Sequence, residues 1–124
     1  MAPSESFKDF IRDQLAAFGP VTIRNMFGGA GIYADGVMFA ILTGDTLYLK
    51  ADESTVPAFE AEGMSPFTYT PKGKAPVAMS YWEAPPRLLE DPDALADWAR
   101  DAHRIARAGK ADLSRQKRRR AQHR

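Results

Sequence analysis

The sequence predicts an α+β domain of two layers, an antiparallel sheet with helices mainly on one face. Strand-like segments follow one another through tight turns, the clearest of which is Asp35-Gly36. Helical patterns stand at both ends of the chain and do not alternate with the strands one by one. The resulting order, α-β-β-β-α-β-β-α, therefore disfavours a doubly wound parallel sheet.

The first helix is predicted from Ser4, a suitable N-cap, and from an apolar stripe at helical spacing. The stripe consists of Phe7, Phe10, Ile11, Leu15 and Phe18. Gly19-Pro20 is expected to end this helix, since both residues disfavour its continuation.

Residues 21–50 are predicted to form a meander of three antiparallel strands. Val21 and Ile23 alternate with polar residues, as in a half-buried strand. Asp35-Gly36 is a hairpin signal because a type I′ turn needs positive φ at both central residues. The apolar run Val37–Leu42 and the alternating segment Thr46–Lys50 supply the next two strands.

The second half of the chain is predicted to contain two helices and two strands. A short helix capped by Asp52 or Ser54 is expected to run through Phe59, and strands are expected near residues 66–70 and 77–82. Asp91 is the predicted cap of the last helix, with Pro92 at its first position. Gly109 is expected to end that helix.

Composition limits the function classes. A chain of 124 residues is long enough for one domain with its own core. It contains no cysteine, which excludes disulfides, thiolate catalysis and cysteine zinc sites and favours the cytoplasm. No apolar run approaches the roughly 18 residues of a membrane span, so no membrane association is expected.

Charge is distributed unevenly. Residues 1–103 contain 8 Lys and Arg against 15 Asp and Glu, whereas residues 104–124 contain 9 against Asp112 alone. We therefore predict a folded domain over residues 1–108 and a basic, mobile tail over residues 109–124. Arginine and lysine side chains suit phosphate, so the tail supplies the candidate nucleic-acid contacts. These are Arg115, Lys117, Arg118, Arg119, Arg120 and Arg124.

The sequence indicates no catalytic, cofactor or metal site. Of the two histidines, His103 is expected to be a solvated helix residue, and His123 lies in the tail. The carboxylates Asp91, Asp93, Asp97 and Asp101 follow a helix face, which favours solvation and dipole compensation over cation binding. We therefore expect no enzymatic activity.

Residues 29–34 match the dinucleotide fingerprint G-x-G-x-x-A, but that motif must open a helix. Here the Asp35-Gly36 turn follows at once, so the glycines are predicted to serve strand geometry. We expect Met26 or Phe27 to be buried and Gly28 or Gly29 to have positive φ.

An ordered set of short motifs resembles the N-terminal domain of the TfoX (Sxy) competence regulators. The set begins with Arg24-Asn-Met26-Phe27-Gly28-Gly29 and Gly31-Ile-Tyr-Ala-Asp-Gly36. It continues with Leu47-Tyr-Leu-Lys-Ala-Asp52, Pro66-Phe-Thr-Tyr69 and Leu88-Leu-Glu-Asp-Pro-Asp-Ala-Leu95. The resemblance spans residues 7–106 and implies a bacterial cytoplasmic protein with a secretion-chaperone-like fold.

Full-length regulators of this kind promote transcription of DNA-uptake genes and carry a second, helical domain. The resemblance here is to a single-domain member, because only the basic tail follows Ala108. The family supplies no catalytic residues to transfer. Its motif loop, comprising Arg24, Met26, Phe27, Gly28, Gly29 and Gly31, is expected to be structural or to contact a partner.

Three functional hypotheses follow. The first is a non-enzymatic regulatory or adaptor module that contacts a protein partner through its sheet or its motif loop, with homodimerisation as one form of such contact. The second is a nucleic-acid-associated protein whose tail binds phosphate without reading sequence. The third is a small-ligand binder or enzyme that uses the loop Gly28–Gly31.

Overall fold

The computed structural model of the protein describes the backbone of residues 2–26 and 28–122 and the side chains of residues 2–26 and 28–110. The helices are α1 (Glu5–Gln14), α2 (Val56–Ala61), a 3-10 helix (Pro86–Glu90) and α3 (Pro92–Gln122). The strands are β1 (Thr22–Met26), β2 (Gly29–Ala34), β3 (Val37–Thr43), β4 (Thr46–Lys50), β5 (Pro66–Tyr69) and β6 (Val77–Glu83).

The strands form one antiparallel sheet in the order β1-β2-β3-β4-β6-β5. Its register places Ile23, Ile32, Ala40, Leu49 and Trp82 in one row across five strands. These residues face the helices and belong to one core with Leu15 of the α1 end, Phe59 of α2 and Leu95 of α3. The α+β class with an antiparallel sheet and helices on one face is thereby confirmed.

Residues 22–50 contain four strands, although the sequence pattern predicted three. The chain reverses between Met26 and Gly29, which pair with each other at the start of the β1–β2 hairpin. Gly28 in this reversal has a φ of +78°. The prediction did not include this turn, because it assigned the residues on both sides of the turn to one continuous segment.

Side-chain hydrogen bonds position α1 on the sheet. The Ser4 hydroxyl accepts a bond from the Phe7 N–H at 3.1 Å, so the predicted N-cap is confirmed. The Lys8 ammonium, largely buried, donates to Asn25 Oδ1 of β1 at 2.6 Å and to Glu5 at 3.0 Å. Because a buried ammonium without partners is costly, these bonds fix the helix against the edge strand.

A β-bulge in β3 adds an aromatic residue to the core. Ile32 pairs with Ala40 while Tyr33 pairs with Met38, so Phe39 is the unpaired extra residue. Phe39 and Ala40 are therefore both fully buried, although they are neighbours in a strand. The Phe39 ring lies 5.0 Å from that of Phe18, measured between centroids.

Helix α3 crosses β3 and β4 on the core side of the sheet. The Asp91 carboxylate accepts a hydrogen bond from the Ala94 N–H at 3.1 Å, which confirms this cap. Small buried residues, Ala99, Ala102 and Ala106, let the helix axis approach the strands closely.

The expected end of α3 at Gly109 is wrong, because the helix continues to Gln122. Gly109 does not have the positive φ that a helix-terminating glycine adopts. A glycine inside a helix costs only about 1 kcal/mol relative to alanine, which the flanking residues of good helix propensity can offset. The division between a domain over residues 1–108 and a tail over residues 109–124 stays a prediction. Within residues 2–26 and 28–122, no helix combines the length and the apolar character needed to cross a membrane.

Candidate functional site

The face of the sheet opposite the helices, here called the outer face, carries a connected set of apolar and aromatic side chains. Registers across the sheet place Gly31, Ile41 and Tyr48 in one row, and Tyr33 and Met38 pair in the next. The Tyr48 ring packs edge-on against Phe67 of β5 with centroids 5.2 Å apart. Except for Gly31, which is buried, these residues are half-buried, so the outer face is apolar and in contact with solvent.

The most exposed apolar residues of this face lie on the hairpin formed by β5 and β6. Tyr69 pairs with Val77, and Met79 lies between Val77 and Tyr81 on the same side of β6. Tyr69 is 55% exposed, Val77 49% and Met79 38%. Phe10 of α1 is the other strongly exposed large apolar side chain among the described residues. The exposed apolar surface is therefore concentrated on the outer face, here called the β5–β6 patch (Tyr69, Val77 and Met79).

Two cations lie over tyrosine rings on the outer face. The Arg24 guanidinium carbon is 5.4 Å from the Tyr33 ring centroid, and the Lys50 ammonium is 5.0 Å from that of Tyr81. Such contacts contribute about 0.5–1 kcal/mol at exposed sites. Burial of Tyr81, with a smaller contribution from nearby Tyr33, raises the pKa of the Tyr81 hydroxyl. A tyrosine hydroxyl is protonated at neutral pH in any case, and this shift widens the pH range over which Tyr81 can donate a hydrogen bond.

The family-motif loop extends across β1 and β2, and its glycines lie in close contact with neighbouring strands and side chains. Gly31 lies beneath side chains of the outer face, since a Cβ there would be 2.6 Å from Met38 Sδ and 3.0 Å from Met26 Sδ. At Gly29 a Cβ would be 2.6 Å from the Leu42 carbonyl oxygen of β3. The glycines thus permit close approach of neighbouring strands and side chains.

The other expectations for this loop have mixed outcomes. Positive φ at Gly28 confirms the expected glycine turn. Met26 is half-buried rather than buried, and Phe27 lies outside the described residues. The dinucleotide interpretation is excluded, because residues 29–34 form strand β2 and do not open a helix.

His103 differs from the sequence expectation of a solvated side chain. It is only 7% exposed, and its Nε2 lies 2.8 Å from the Ala34 carbonyl oxygen. Its ring also packs edge-on against Phe18 and Phe39. The amphipathic pattern of α3 places position 103 beside Ala102 on the core side. This pattern was the signal in the sequence that could have predicted the burial of His103. His103 connects the helix to the sheet and lines none of the three principal clefts in the described part of the chain.

Three of the four predicted carboxylates at α3 have local partners, and Asp93 lies in the first turn of the helix. Asp91 caps the helix, Asp97 pairs with Arg100 at 2.6 Å, and Asp101 pairs with Arg104 at 3.4 Å. These contacts favour the interpretation of solvation and helix stabilisation.

The candidate nucleic-acid residues lie beyond the described side chains. The backbone of Arg115, Lys117, Arg118, Arg119 and Arg120 is helical, as part of α3, and Arg124 lies outside the described residues. Nucleic-acid binding by this segment stays a prediction.

Sequence reasoning did not identify the β5–β6 patch or the clustering of Lys50 with Tyr81. Alternation of Val77, Met79 and Tyr81 was the only available signal for the patch. Lys50 and Tyr81 are far apart in sequence and meet because β4 pairs with β6.

Comparison with known proteins assigns the family. A search of curated proteins gives no match to this chain. The family model described as the TfoX N-terminal domain matches residues 13–106, which include the sheet, α2 and the buried part of α3. Since this match covers most of the 124 residues, the chain belongs to the TfoX N-terminal domain family.

Proposed function

We propose that the protein is a non-enzymatic, cytoplasmic regulatory adaptor, similar to the competence regulators, that binds a protein partner through the outer face of its sheet. The β5–β6 patch is the observation that carries this proposal. Contiguous apolar surface is costly to leave in water and marks interaction sites in folded proteins. Helices α1, α2 and α3 pack on the opposite face, so they do not cover it.

Charge favours an acidic, amphipathic segment as the occupant. Arg24, Lys50 and the carboxylate Glu83, which pairs with Tyr48, lie on the outer face. Lys72 and Lys74 lie in the loop that joins β5 to β6 and add to the positive charge. None of these four cations forms an ion pair with another described residue, whereas Arg12, Arg87 and Arg100 elsewhere each do. A partner with apolar side chains and carboxylates would bury the patch and neutralise these cations.

The proposal is tested by affinity purification from the native cell, with and without nuclease, using wild-type protein and two variants. The first variant replaces the patch (Tyr69→Ser, Val77→Ser, Met79→Ser). The second, Phe10→Ser, is the matched control, because Phe10 is equally apolar and exposed but lies on α1. Both variants must retain a cooperative melting transition.

We expect one protein to be retained by the wild type and by Phe10→Ser and lost from the patch variant. Adding Lys72→Glu and Lys74→Glu to the wild type should also weaken its retention. Retention of the same protein by the patch variant would contradict the proposal. Loss of all bound material on nuclease treatment would favour the nucleic-acid hypothesis instead. A change from dimer to monomer of the purified protein on patch replacement would make a second copy the occupant and refute the acidic partner.

A further inference from the structure

A second surface feature is a cleft of about 480 Å³ at the end of the sheet, where α3 passes the Asp35-Gly36 hairpin. Its walls include Val37 and Met38 of β3, Lys50 at the end of β4, Tyr81 of β6, and Ala106 and Lys110 of α3. A volume of this size lies in the usual range of small-molecule sites, about 300–1,000 Å³. The cleft shares Lys50 with the outer face and adjoins the β5–β6 patch through Tyr81, whereas its other walls come mainly from β3 and α3.

The charged side chains that line the described part of this cleft are both cationic. Neither Lys50 nor Lys110 forms an ion pair with a described carboxylate. Lys50 also borders a second cleft that contains Asp97 and Asp101. Those carboxylates are engaged by Arg100 at 2.6 Å and Arg104 at 3.4 Å. The Lys110 ammonium donates a hydrogen bond to the Gly36 carbonyl oxygen at 3.5 Å and the Lys50 ammonium lies over the Tyr81 ring, so among the described residues neither charge is neutralised by a carboxylate.

Tyr81 adds a neutral donor to the same wall. The residue is only 7% exposed, and its hydroxyl has no hydrogen bond to another described residue. No described side chain holds a polar atom that is both buried and without a partner. The hydroxyl oxygen therefore keeps access to solvent, and the cleft is the surface that Tyr81 lines. Burial raises the pKa of Tyr81, which keeps the proton on the oxygen.

The chemistry of this wall selects among anions. Lysine binds phosphate as a point charge, and because arginine matches carboxylate and phosphate alike, the number of charges rather than the type of cation favours phosphate here. Two ammonium groups suit a group of about two negative charges, such as a phosphate monoester at neutral pH. The apolar side chains Val37, Met38 and Ala106 leave room for an organic substituent beside it.

We propose that this cleft binds the phosphate group of a small organic phosphate monoester. Lys50 and Lys110 balance its charge, the Tyr81 hydroxyl donates a hydrogen bond to it, and Val37, Met38 and Ala106 contact the organic part.

The proposal is tested by titrating the full chain with phenyl phosphate and, separately, with inorganic phosphate, while the amide NMR signals are followed. Gly36 and Gly109 flank the cleft, so their amide signals report binding there rather than at the basic end of α3. We expect saturable shifts at both positions and tighter binding of phenyl phosphate, because only this probe reaches the apolar wall. Equal affinity of the two probes would contradict the proposed contact between the organic part of the ligand and the apolar wall.

Variants of the full chain identify the groups responsible. Lys50→Gln and Lys110→Gln should each weaken phenyl phosphate binding by roughly ten-fold, the usual effect of losing a charge-assisted hydrogen bond. Tyr81→Phe should weaken it by about five-fold, while Lys72→Gln, an exposed lysine outside the cleft, should leave it unchanged. Lys110 is exposed, so its variant tests the site even if a substitution at Tyr81 prevents folding. Absence of saturable shifts at millimolar probe, or equal weakening by Lys72→Gln, would refute the site.

Discussion

Replacing Gly29 by alanine should destabilise the protein through a clash with backbone. The added Cβ would lie 2.6 Å from the Leu42 carbonyl oxygen and 3.3 Å from Thr43 Cγ2. Leu42 pairs with Ala30 in the centre of the sheet, so its carbonyl cannot move without disturbing the ladder. Forcing an extra methyl group into packed structure costs up to about 3 kcal/mol. Alanine also lowers the conformational entropy of the unfolded chain, which offsets about 0.4–1 kcal/mol of this cost. The free energy of unfolding should therefore fall by about 2 kcal/mol.

Gly31→Ala is the matched control, because its new Cβ would meet side chains rather than backbone. Met38 Sδ lies at 2.6 Å and Met26 Sδ at 3.0 Å from that position, and both belong to flexible side chains. Tyr33 Cε1 lies at 3.2 Å, and this half-buried ring needs to shift by only a few tenths of an ångström. We expect a loss below about 1 kcal/mol. Urea denaturation followed by circular dichroism measures both variants, and each kcal/mol should lower Tm by about 3–5 °C for a chain of this size. Equal stability of the two variants would refute the distinction between a fixed backbone obstacle and a movable side chain.

Two further predictions concern the hairpin and the tail. Asp35 has a φ of +53° and Gly36 of +76°, so Gly36→Val should cost about 1 kcal/mol or more, whereas Gly36→Asn should cost less. The same denaturation series checks this, and equal stability of the two substitutions would count against it. If the basic segment binds duplex DNA, affinity should fall with salt with a log–log slope of about −0.9 per neutralised phosphate. Deleting residues 115–124 should abolish that binding with little change in Tm, and equal binding by the shortened chain would exclude the segment as the contact.

Local turn and cap chemistry made much of the fold predictable. Ser4 and Asp91 cap their helices, and Asp35-Gly36 closes its hairpin, because each effect acts over only a few neighbouring residues. The same local rules failed at Gly109, where a glycine was expected to end a helix that continues through it. A local signal of about 1 kcal/mol is readily outweighed by its surroundings.

The sequence by itself determined the α+β class, the principal turns and the family motifs, since these depend on residue type and short spacing. Only the tertiary structure decided that β6 inserts beside β4, which brings Lys50 to Tyr81 and forms one wall of the cleft. It also decided that the bulge at Phe39 creates a buried environment for His103. These features depend on strand register and on pairing between distant segments, and small differences among many packing contacts select them.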